Sequence, residues 1–411
     1  MSAADGRWDV IVAGAGPAGF AAAVAAARAG ARTLVIEKNP FCGGTWTAGA
    51  MCLVIDADGK GGLMAELLDR LKAAGAWARY GGWADLFTIE PMKMVLEEML
   101  ASAEVEVRLH TLLLGARREG RRIASVQTAS KSGPEEFAAD VYVDATGDGD
   151  LAARAGCAFD VGRPGDGKCQ PGTMFALVGG WPEAMPPREV VRDVLLGTGF
   201  DLSYHGLTVF AQPGQPGLAV LMASHLYGVD ATDASSLTEA ERLGRRQVHE
   251  AVAALRGSGD ARFARLFVVS TGPFATVREG RRVRGRYVLT ADDCRAGRSF
   301  DDAVCRVAFN FDVHHVDPSE GRHLDAEKVP PYEVPYRSLV AADVDNLLLS
   351  GRCISGDFLA HSSYRVTGDA VPTGEAAGRA AAIAAAEGVA PADVDASRVA
   401  PGRADQTSSG S

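Results

Sequence analysis

The pattern of hydrophobic positions is clearest in residues 9–37. Asp9–Ala13 is an apolar run without alternating polar residues, which predicts a strand of a parallel sheet that is buried on both faces. Residues 19–30 are so rich in alanine that they predict a helix lying close to this sheet. Thr33–Ile36 predicts the next buried strand, which ends at Glu37. Together these segments predict a complete β-α-β unit.

Further elements follow this unit along the chain. Residues 90–100 have the periodicity of a helix, whereas residues 105–113 and 123–128 are typical of strands. Residues 140–144 predict another buried strand, which enters a turn made of glycine and aspartate. The first part of the N-terminal fold is therefore expected to continue to about residue 157.

The character of the sequence changes from about Ala158, where aromatic and β-branched segments predict an antiparallel region. Within it, residues 237–255 predict an amphipathic helix that opens with Thr238 and Glu241 as a capping box. The predicted strands of this region are residues 173–178, 207–211 and 218–223.

The apolar strand pattern returns near Asp345 as NLLLSG, and a second alanine-rich helix is predicted to begin around Pro372. The C-terminal segment is therefore expected to complete the N-terminal fold. The fold class is α/β, with a Rossmann-like domain that carries an inserted, mostly β domain. The predicted division is 1–157 for the first part of the Rossmann-like domain, 158–335 for the insertion, 336–390 for its second part and 391–411 for a disordered tail.

Composition places the 411-residue chain among globular proteins, since 47% of its residues are hydrophobic and 23% are charged. It excludes disordered and collagen-like chains. No apolar run approaches the roughly 20 residues that a membrane-spanning helix needs, so no membrane insertion is expected. The net charge of −10 argues against binding to a phosphate backbone, and nucleic acid is not an expected partner.

The seven cysteines form no CxxC pair, which excludes a typical disulfide framework and a typical zinc site. This usage favours a reduced, cytoplasmic compartment. Residues 1–8 are too short and too polar for a signal peptide. Cys42 and Cys52 are interpreted as small buried thiols, and Asp148 and Asp150 as caps of a turn, so no metal site is expected.

Gly14-Ala15-Gly16-Pro17-Ala18-Gly19 has the pattern GxGxxG, directly after a predicted strand and before a predicted helix. The first glycine permits the tight turn, and the second lets the backbone approach a pyrophosphate at the helix N-terminus. The third glycine allows contact between helix and sheet. Glu37, at the end of the next strand, is placed to accept ribose hydroxyls. The motif in this context predicts a nucleotide-binding site for a dinucleotide.

Three later segments favour FAD over NAD as this dinucleotide. Residues 37–45 bring paired glycines and a hydroxyl just after the ribose-binding strand, where an extended dinucleotide would continue toward a flavin. Residues 143–150 end a strand in a tight turn. Residues 349–357, followed by the glycines of residues 374–378, would return the chain to the ligand. No second dinucleotide fingerprint is present in the sequence, so a separate NAD(P)H domain is not expected.

These motifs resemble those of FAD-dependent oxidoreductases with the glutathione-reductase-like flavoprotein fold, and the chain is distantly similar to the flavoprotein subunits of fumarate reductases. The resemblance covers most of Asp9 to Glu387. It implies a Rossmann-like FAD-binding domain, an inserted substrate domain and FAD as the cofactor. The most specific segments are GAGPAG, EKNPFCGGTWTAG, VDATGDGDLAARAG, REGRRVRGRYVLTADD, VPYRSL, NLLLSGRCIS, AHSSYR and GEAAGRAAAIAA.

The resemblance also implies which residues hold FAD. A helix N-terminus at Gly374 would face the pyrimidine edge of the flavin and stabilise negative charge there upon reduction. The cofactor-binding candidates are Gly14, Gly16 and Gly19 for the pyrophosphate; Glu37 for the ribose; Gly43, Gly44 and Thr45 for the middle of FAD; Ala145, Thr146 and Gly147 for the adenosine half; Arg352 and Asp357 for the ribityl and pyrophosphate; Gly374, Ala376 and Ala377 for the flavin edge; and, within the same segments, Pro17, Ala18, Lys38 and Gly351.

Substrate-side candidates are basic and aromatic residues of the later segments. In the functional interpretation an arginine binds a carboxylate while a histidine or tyrosine removes a proton. Alternatively, Arg281, Arg282 and Arg284 form a solvated face, and His314 and His315 serve capping or packing. The catalytic candidates are His361, Arg365, His314 and Arg337, with Arg278 and Tyr364 also in the set.

The sequence thus predicts an FAD-dependent oxidoreductase, a dehydrogenase or oxidase, that moves a hydride between flavin N5 and a small polar metabolite. A carboxylate on that metabolite is one option. Oxygen, a quinone or a protein carrier are all compatible as electron acceptors. Two alternatives are kept: a flavin-dependent monooxygenase of the aromatic hydroxylase kind, and a non-catalytic FAD-binding protein.

Overall fold

The structure is a computed structural model, and it describes residues 7–400. Its strands, in chain order, are β1 Arg7–Ala13, β2 Thr33–Ile36, β3 Leu53–Ile55, β4 Trp77–Tyr80, β5 Ala84–Phe87, β6 Glu106–Arg108, β7 Leu112–Glu119, β8 Arg122–Ser130, β9 Gly133–Asp144, β10 Phe159–Val161, β11 Phe175–Gly179, β12 Thr208–Ala211, β13 Leu218–Met222, β14 Phe267–Thr271, β15 Arg281–Val283, β16 Ala303–Val307, β17 Phe311–His314, β18 Leu324–Glu327, β19 Tyr332–Pro335 and β20 Leu347–Leu349. Its α-helices are α1 Pro17–Arg28, α2 Gly62–Ala73, α3 Ile89–Ser102, α4 Asp150–Arg154, α5 Arg188–Gly197, α6 Ala234–Gly257, α7 Ala291–Arg295, α8 Phe358–Tyr364 and α9 Thr367–Glu387.

The main sheet has the order β6-β2-β1-β9-β8-β7, and a seventh strand, β20, pairs with the C-terminal end of β9. Strands β6, β2, β1, β9 and β20 are parallel neighbours, whereas β7, β8 and β9 form an antiparallel meander. In the register of the sheet, Ile11 lies between Leu34 and Tyr142. All three side chains are fully buried, as expected of parallel strands covered on both faces.

Helices α1 and α9 pack against each other closely enough to leave no room for side chains at two glycines. A Cβ atom at Gly374 would lie 2.1 Å from the carbonyl oxygen of Ala18, and one at Gly378 would lie 2.1 Å from that of Ala22. The alanine-rich faces of both helices therefore belong to one core. In this way the C-terminal segment completes the N-terminal β-α-β unit.

A second core lies under an antiparallel sheet of order β12-β13-β11-β14. Helix α6 packs on this sheet, and the buried residues Val178, Leu221 and Val252 come from β11, β13 and α6. Two-stranded and three-stranded sheets complete the molecule, among them β17-β18 and β3-β5-β4. The predicted fold class, α/β with a Rossmann-like part and an additional mostly β part, is confirmed.

The structure corrects several predicted elements. Residues 105–113 form parts of two strands, because the chain turns at His110, whose φ is 52°. Helix α6 begins before the predicted capping box: the side chain of Asp233 accepts a hydrogen bond from Ser236 N at 2.7 Å and caps it. Thr238 lies inside the helix and donates to Ala234 O, while Glu241 accepts from Ala275 N.

Helix α9 begins at Thr367 rather than around Pro372. Proline is favoured in the first turn of helices, but its presence does not fix where a helix starts. Here it lies in the second turn. The carboxylate of Asp369, in the first turn, pairs with Lys60 at 2.6 Å.

The predicted disordered tail is wrong for residues 391–400. Two 3-10 turns, Pro391–Asp393 and Ala396–Arg398, carry Val394 and Val399 into the core. The rest of the predicted tail, residues 401–411, lies outside the described residues. Within residues 7–400, no helix is long and apolar enough to cross a membrane.

Candidate active site

A cavity of about 570 Å³ runs from the main sheet to the antiparallel sheet. At one end it is lined by residues that directly follow the carboxyl ends of four parallel strands. Ligands of open α/β sheets bind at this edge, where the strand order reverses. These residues are Gly14 after β1, Glu37 after β2, Ala145 after β9 and Ser350 after β20.

The turn after β1 brings bare backbone to the cavity. Gly14 has a φ of 90°, and a Cβ there would lie 2.7 Å from Ala145 O, so only glycine fits. A Cβ on Gly16, by contrast, would meet no protein atom closer than the Cα of Gly44, 4.0 Å away. The space beside Gly16 therefore belongs to the cavity.

Helix α1 starts in this turn and points its N-terminus into the cavity. Gly16 is the N-cap residue and makes no side-chain capping bond, and Pro17 occupies the first position. The first N–H groups of a helix have no partner within it, and the helix dipole favours an anion there. Backbone, dipole and the open space at Gly16 together fit a pyrophosphate.

Glu37 braces the turn as well as lining the cavity. Its Oε2 accepts from Ala15 N at 2.8 Å, and its Oε1 accepts from the backbone and side-chain nitrogens of Asn39 at 2.9 and 2.7 Å. Glu37 is only 5% exposed, and a buried carboxylate is costly unless it accepts hydrogen bonds such as these. The ribose contact stays a prediction.

An ion pair between Arg352 and Asp148 lies at the turn after β9. Arg352 Nη2 lies 2.8 Å from Asp148 Oδ1, and Arg352 Nη1 donates to Val277 O at 3.0 Å. Gly147 has a φ of 82°, and a Cβ there would lie 2.9 Å from Arg352 Nη2. The guanidinium thus lies directly over the turn after β9. Of the predicted cofactor-binding residues, those that line the cavity are Gly14, Gly16, Pro17, Ala18, Glu37, Lys38, Gly44, Thr45, Ala145, Thr146, Gly147, Gly351 and Arg352.

Two of the predicted cofactor-binding glycines, Gly19 and Gly43, contact the turn that lines the cavity. A Cβ on Gly19 would lie 1.8 Å from Gly14 O, so this glycine lets α1 contact the turn. Gly43 donates its N–H to Ala15 O at 2.7 Å and has a φ of 106°. Both shape the backbone that faces the cavity and do not line it themselves.

Asp357 does not lie at the cavity as expected. Its Oδ1 accepts from Ala360 N at 2.8 Å and caps helix α8, and its Oδ2 accepts from Ala291 N at 2.7 Å. Both oxygens are thus engaged with helix N-termini. The residue joins α7 to α8 instead of contacting the ligand cavity.

The predicted helix N-terminus at Gly374 is also wrong. Because α9 begins at Thr367, Gly374 lies in the middle of the helix, against α1, and Ala376 and Ala377 are buried there. The residues of this helix end that do line the cavity are Val366, Thr367 and Ala370. The N-terminus of α9, whose dipole favours negative charge nearby, is therefore at Thr367, about two turns earlier than predicted.

The far end of the cavity holds a cluster of charged side chains. Arg365 Nη2 lies 3.0 Å from Asp312 Oδ2, and it donates to the carbonyl oxygen of Asp312 at 2.9 Å. His314 Nε2 lies 3.3 Å from the same Asp312 Oδ2. Arg278 Nη1 donates to Pro171 O at 2.6 Å and to Thr173 Oγ1 at 2.7 Å. Asp312 thus serves two neighbours at once.

Within residues 7–400, Arg278 has no carboxylate at salt-bridge distance. Burial, and then repulsion by Arg365, lower the pKa of Arg278 to about 10, which leaves it charged at neutral pH. Two other charged residues of this half of the cavity have partners of their own: Arg188 pairs with Glu189, and Glu241 with Arg245. The cluster therefore presents two cations and one anion to the cavity.

The protonation states in this cluster follow from burial and charge. Burial acts to raise the pKa of Asp312, but the hydrogen bond with His314 and the charges of Arg365 and Arg278 outweigh it, so the pKa is lowered. Burial, and then the charge of Arg278, lower the pKa of His314 to about 3. At neutral pH Asp312 is ionised and His314 is neutral.

An aromatic wall adjoins the charged cluster. Tyr80 packs edge-on against Phe210, with ring centroids 5.4 Å apart, and against Trp83, 5.7 Å apart. Tyr204 lines the cavity between this wall and His314, whose ring centroid is 5.5 Å away. The far half of the cavity is thus apolar on one side and positively charged on the other.

Of the four catalytic candidates, Arg365 and His314 line the cavity, and His361 and Arg337 do not. His361 is fully buried in α8 with its ring against Tyr364, and neither of its ring nitrogens has a hydrogen-bond partner among the described residues. Burial keeps its pKa well below the usual value, so it stays neutral. Arg337 is exposed and pairs with Asp302 at 2.9 Å.

The arginines of the segment 278–284 differ in exposure and in their partners. Arg284 is exposed and pairs with Asp160 at 2.9 Å, in line with the solvated-face alternative. Arg282 is buried with Glu279, so that alternative is wrong for this residue. Of this segment, only Arg278 lines the cavity.

The sequence interpretation missed Asp312, Tyr204 and His225, which meet at the charged end. They come from β17, from the segment before β12 and from the segment after β13. One signal was available: Asp312 and His314 are two apart in a strand, which places both side chains on one face. No spacing could have joined them to Tyr204 or His225.

The family model for FAD dependent oxidoreductases matches residues 9–401. The chain belongs to this family. FAD is therefore the cofactor of this oxidoreductase, as predicted, and the lining of the nucleotide end fits it. The narrower likeness to the glutathione-reductase fold stays a prediction.

Other similarities are partial or remote. A thiamine thiazole synthase of Aeropyrum pernix is 57% identical over 44 residues, which are 10% of this chain and 16% of that protein's length. The anhydrotetracycline hydroxylase OxyS of Streptomyces rimosus is 16% identical, with a TM-score of 0.49 over 93% of this chain and 63% of its own. The p-nitrophenol 4-monooxygenase PnpA of Pseudomonas putida is 13% identical, with a TM-score of 0.49 over 93% of this chain and 81% of its own. The family assignment rests on the family model alone.

Proposed function

We propose that this FAD-dependent oxidoreductase moves a hydride between flavin N5 and a small metabolite that carries a carboxylate. The observation that carries the proposal is Arg278, a part-buried guanidinium beside Arg365 that lines the cavity and has no carboxylate partner among the described residues. A cation that is partly withdrawn from water gains from an anion nearby, so an anion of the substrate is expected to complete the cluster. The planar donors of arginine match a carboxylate in particular.

Acid–base chemistry would come from Asp312 and His314, beside the proposed carboxylate site. Bound FAD supplies N5, which accepts or donates a hydride. In oxidation of a C–OH or C–N bond, one proton leaves the heteroatom as the hydride leaves carbon. An ionised carboxylate or a neutral imidazole can accept that proton, and in the reverse direction can return it.

The aromatic wall would hold the body of the substrate. Tyr80 and Phe210 offer flat apolar surfaces that exclude water from the reacting bond. The arginines at one end and this wall along the side would fix the orientation of the substrate against the flavin. Such positioning accounts for a large share of catalysis in two-substrate reactions.

The same wall supports a second candidate, hydroxylation of an aromatic ring by a flavin monooxygenase. That reaction needs dioxygen and a separate reductant such as NAD(P)H. It differs from the first candidate in one direct respect: an aromatic substrate would not reduce the flavin in the absence of oxygen.

The test is anaerobic mixing of the FAD-loaded protein with a panel of small metabolites, with flavin absorbance as the readout. The panel contains 2-hydroxy acids, amino acids and aromatic carboxylates, each with its amide as an uncharged counterpart. We expect bleaching by one class of carboxylate and not by its amides. Bleaching by amides to an equal extent would contradict the anion site, and oxygen-dependent consumption of NAD(P)H with an aromatic acid would favour the monooxygenase.

Two matched variants sharpen this test. Arg278→Ala should raise the KM for the carboxylate more than Arg278→Lys, because lysine keeps the charge and loses the planar donors. Arg284→Ala removes an exposed arginine of the same segment and should leave KM unchanged. Equal effects of Arg278→Ala and Arg284→Ala would show that general charge, not a site, attracts the substrate.

A further inference from the structure

We propose that His314, His225 and Tyr227 form a proton relay between Asp312 at the cavity wall and the protein surface. The inference rests on the proposed function, because the proton that it moves is the one exchanged with the substrate heteroatom. His225 and Tyr227 do not line the cavity. They act through His314 and are positioning residues, not groups that touch the substrate.

The relay is a continuous row of hydrogen-bonded side chains. His314 Nε2 lies 3.3 Å from Asp312 Oδ2, and His314 Nδ1 lies 2.9 Å from His225 Nε2. His225 Nδ1 lies 3.2 Å from the hydroxyl of Tyr227. Both imidazoles thus use both of their nitrogens in the row. A histidine that serves only packing or capping has no need of two such partners.

Burial changes along the row in the direction that a relay requires. His314 is 4% exposed and His225 is 1% exposed, whereas Tyr227 is half-buried and is followed by the exposed Gly228. Tyr204 stacks on His225 with ring centroids 4.1 Å apart and an interplanar angle of 23°. The stack holds the His225 ring in the orientation that serves both hydrogen bonds.

The ionised state of Asp312 sets the direction of the hydrogen bonds. A carboxylate only accepts, so a neutral His314 donates from Nε2 and accepts at Nδ1. His225 must then donate from Nε2 to His314 and accept at Nδ1 from the Tyr227 hydroxyl. The Tyr227 proton has a second acceptor, Ser203 O at 3.4 Å. All donors of the resting row therefore point toward the cavity.

Charged neighbours keep the histidines from storing the proton. Burial lowers the pKa of His225, and Arg278, His314 and His315 lower it further. Arg278 likewise opposes a charge on His314, while Asp312 favours one. Each imidazole is therefore neutral before and after a transfer, as a conducting group must be.

The step balances as follows. If bound FAD supplied a hydride to a substrate carbonyl carbon, the oxygen would gain one proton, which His314 Nε2 would hand over through Asp312. One proton then enters at Tyr227, and each hydrogen bond of the row hands one proton inward. In substrate oxidation the ionised Asp312 would take the hydroxyl proton itself, because His314 Nε2 already carries a hydrogen in the resting row. The row would carry a proton outward only from its reversed state, with Nδ1–H on both histidines.

The first test needs no substrate. In FAD-loaded protein labelled with 15N-histidine, NMR should show His314 and His225 as neutral Nε2–H tautomers at pH 7. It should also show a 15N–15N coupling across the hydrogen bond between them. His225→Gln and His314→Gln supply the assignments. An Nδ1–H tautomer of His225, or absence of the coupling, would overturn the relay whatever the reaction proves to be.

The second test uses the carboxylate that bleaches the flavin in the panel above. The reverse step, anaerobic reoxidation of the reduced flavin by the oxidised product of that carboxylate, draws a proton inward. His225→Ala should slow this step by about 10²-fold, the lower range for acid–base catalysis, with little change in the KM for the product. Imidazole should restore the rate and 1-methylimidazole should not, because the second fills the same space but cannot hand on a proton. Equal rescue by both would show that His225 only fills space.

Two further variants complete the design. Tyr227→Phe removes only the outer hydroxyl and should slow the same step without loss of folding. His205→Ala is the matched control, because His205 pairs with His323 at 3.4 Å on the surface, apart from the cavity. It should leave the rate unchanged.

If no carboxylate bleaches the flavin while the NMR result holds, the proposed substrate fails and the relay stands. If bleaching occurs and Tyr227→Phe and His225→Ala both keep the wild-type rate, the relay fails alone.

Discussion

The two ends of the cavity hold their ligands by different means. The nucleotide end is built from backbone: the turn at Gly14–Gly16, the N-terminus of α1 and the close approach of Gly44. The charged end is built from side chains, with Arg278 and Arg365 around the carboxylate of Asp312. A backbone site is damaged by adding atoms, because its geometry leaves no room for them. A side-chain site is damaged by removing charge.

The largest effect is expected for Gly16→Val, which should abolish retention of FAD. The valine would occupy the space of the pyrophosphate. Its Cβ would meet no protein atom closer than the Cα of Gly44 at 4.0 Å, so folding should be normal. The measurement is the FAD-to-protein ratio of the purified variant, with circular dichroism as the check on folding. Gly197→Val is the control, because a Cβ at Gly197 also meets nothing and lies far along the chain in α5. Normal FAD content in folded Gly16→Val would break the account of the nucleotide end.

Arg365→Ala should have the largest effect at the charged end. It removes one of the two partners of Asp312, a carboxylate that is 21% exposed, so the cost should stay below the roughly 3 to 5 kcal/mol of breaking a fully buried ion pair. Part of this loss should appear in the free energy of unfolding and part as a raised KM for an anionic substrate. Urea unfolding and steady-state kinetics measure the two. Arg365→Lys should recover more of the unfolding free energy than of KM, and the reverse order would speak against a planar anion site.

The pH dependence of stability should change in His314→Gln. In the folded protein the pKa of His314 is lowered to about 3, against about 6.5 in the unfolded chain. The fold therefore gains full stability from a neutral His314 above pH 6.5, and it loses this stability as the pH falls toward 3. His314→Gln should therefore reduce the slope of the unfolding free energy against pH by about one proton over this range. Chemical unfolding at several pH values measures the slope, and an unchanged slope would mean that His314 is protonated in the fold.

The smallest effect is expected for Arg337→Ala. This exposed side chain pairs only with Asp302, and such pairs contribute less than about 1 kcal/mol. Neither FAD content nor KM should change. A clear rise in KM would return Arg337 to the substrate site and would mean that the inserted region closes over the flavin in solution.

The comparison also explains what could be predicted from the sequence. The turn from Gly14 to Gly19 is local: strand, glycines and helix follow each other, so the motif and its surroundings are read together. Glu37 belongs to the same unit. The β-α-β unit, most of the parallel strands and the nucleotide end were predictable for this reason.

The charged end was predicted only in part, because its residues come from distant elements. Arg365 and His314 were singled out, but nothing in their spacing separates them from His361 and Arg337. His361 lies four residues from Arg365 and is buried in α8. The predicted helix start at Pro372 was wrong for a different reason: the local sequence does not distinguish a proline in the second turn from one at a helix start. Tertiary packing decides such cases.

The central claim is that an anion binds beside the flavin through Arg278 and Arg365. The most direct measurement is titration of the oxidised, FAD-loaded protein with benzoate, followed by the flavin absorption spectrum. We expect a saturable spectral change with benzoate and none with benzamide, lost in Arg278→Ala and kept in Arg337→Ala. A change of equal size with benzamide, or one that survives Arg278→Ala, would contradict the claim.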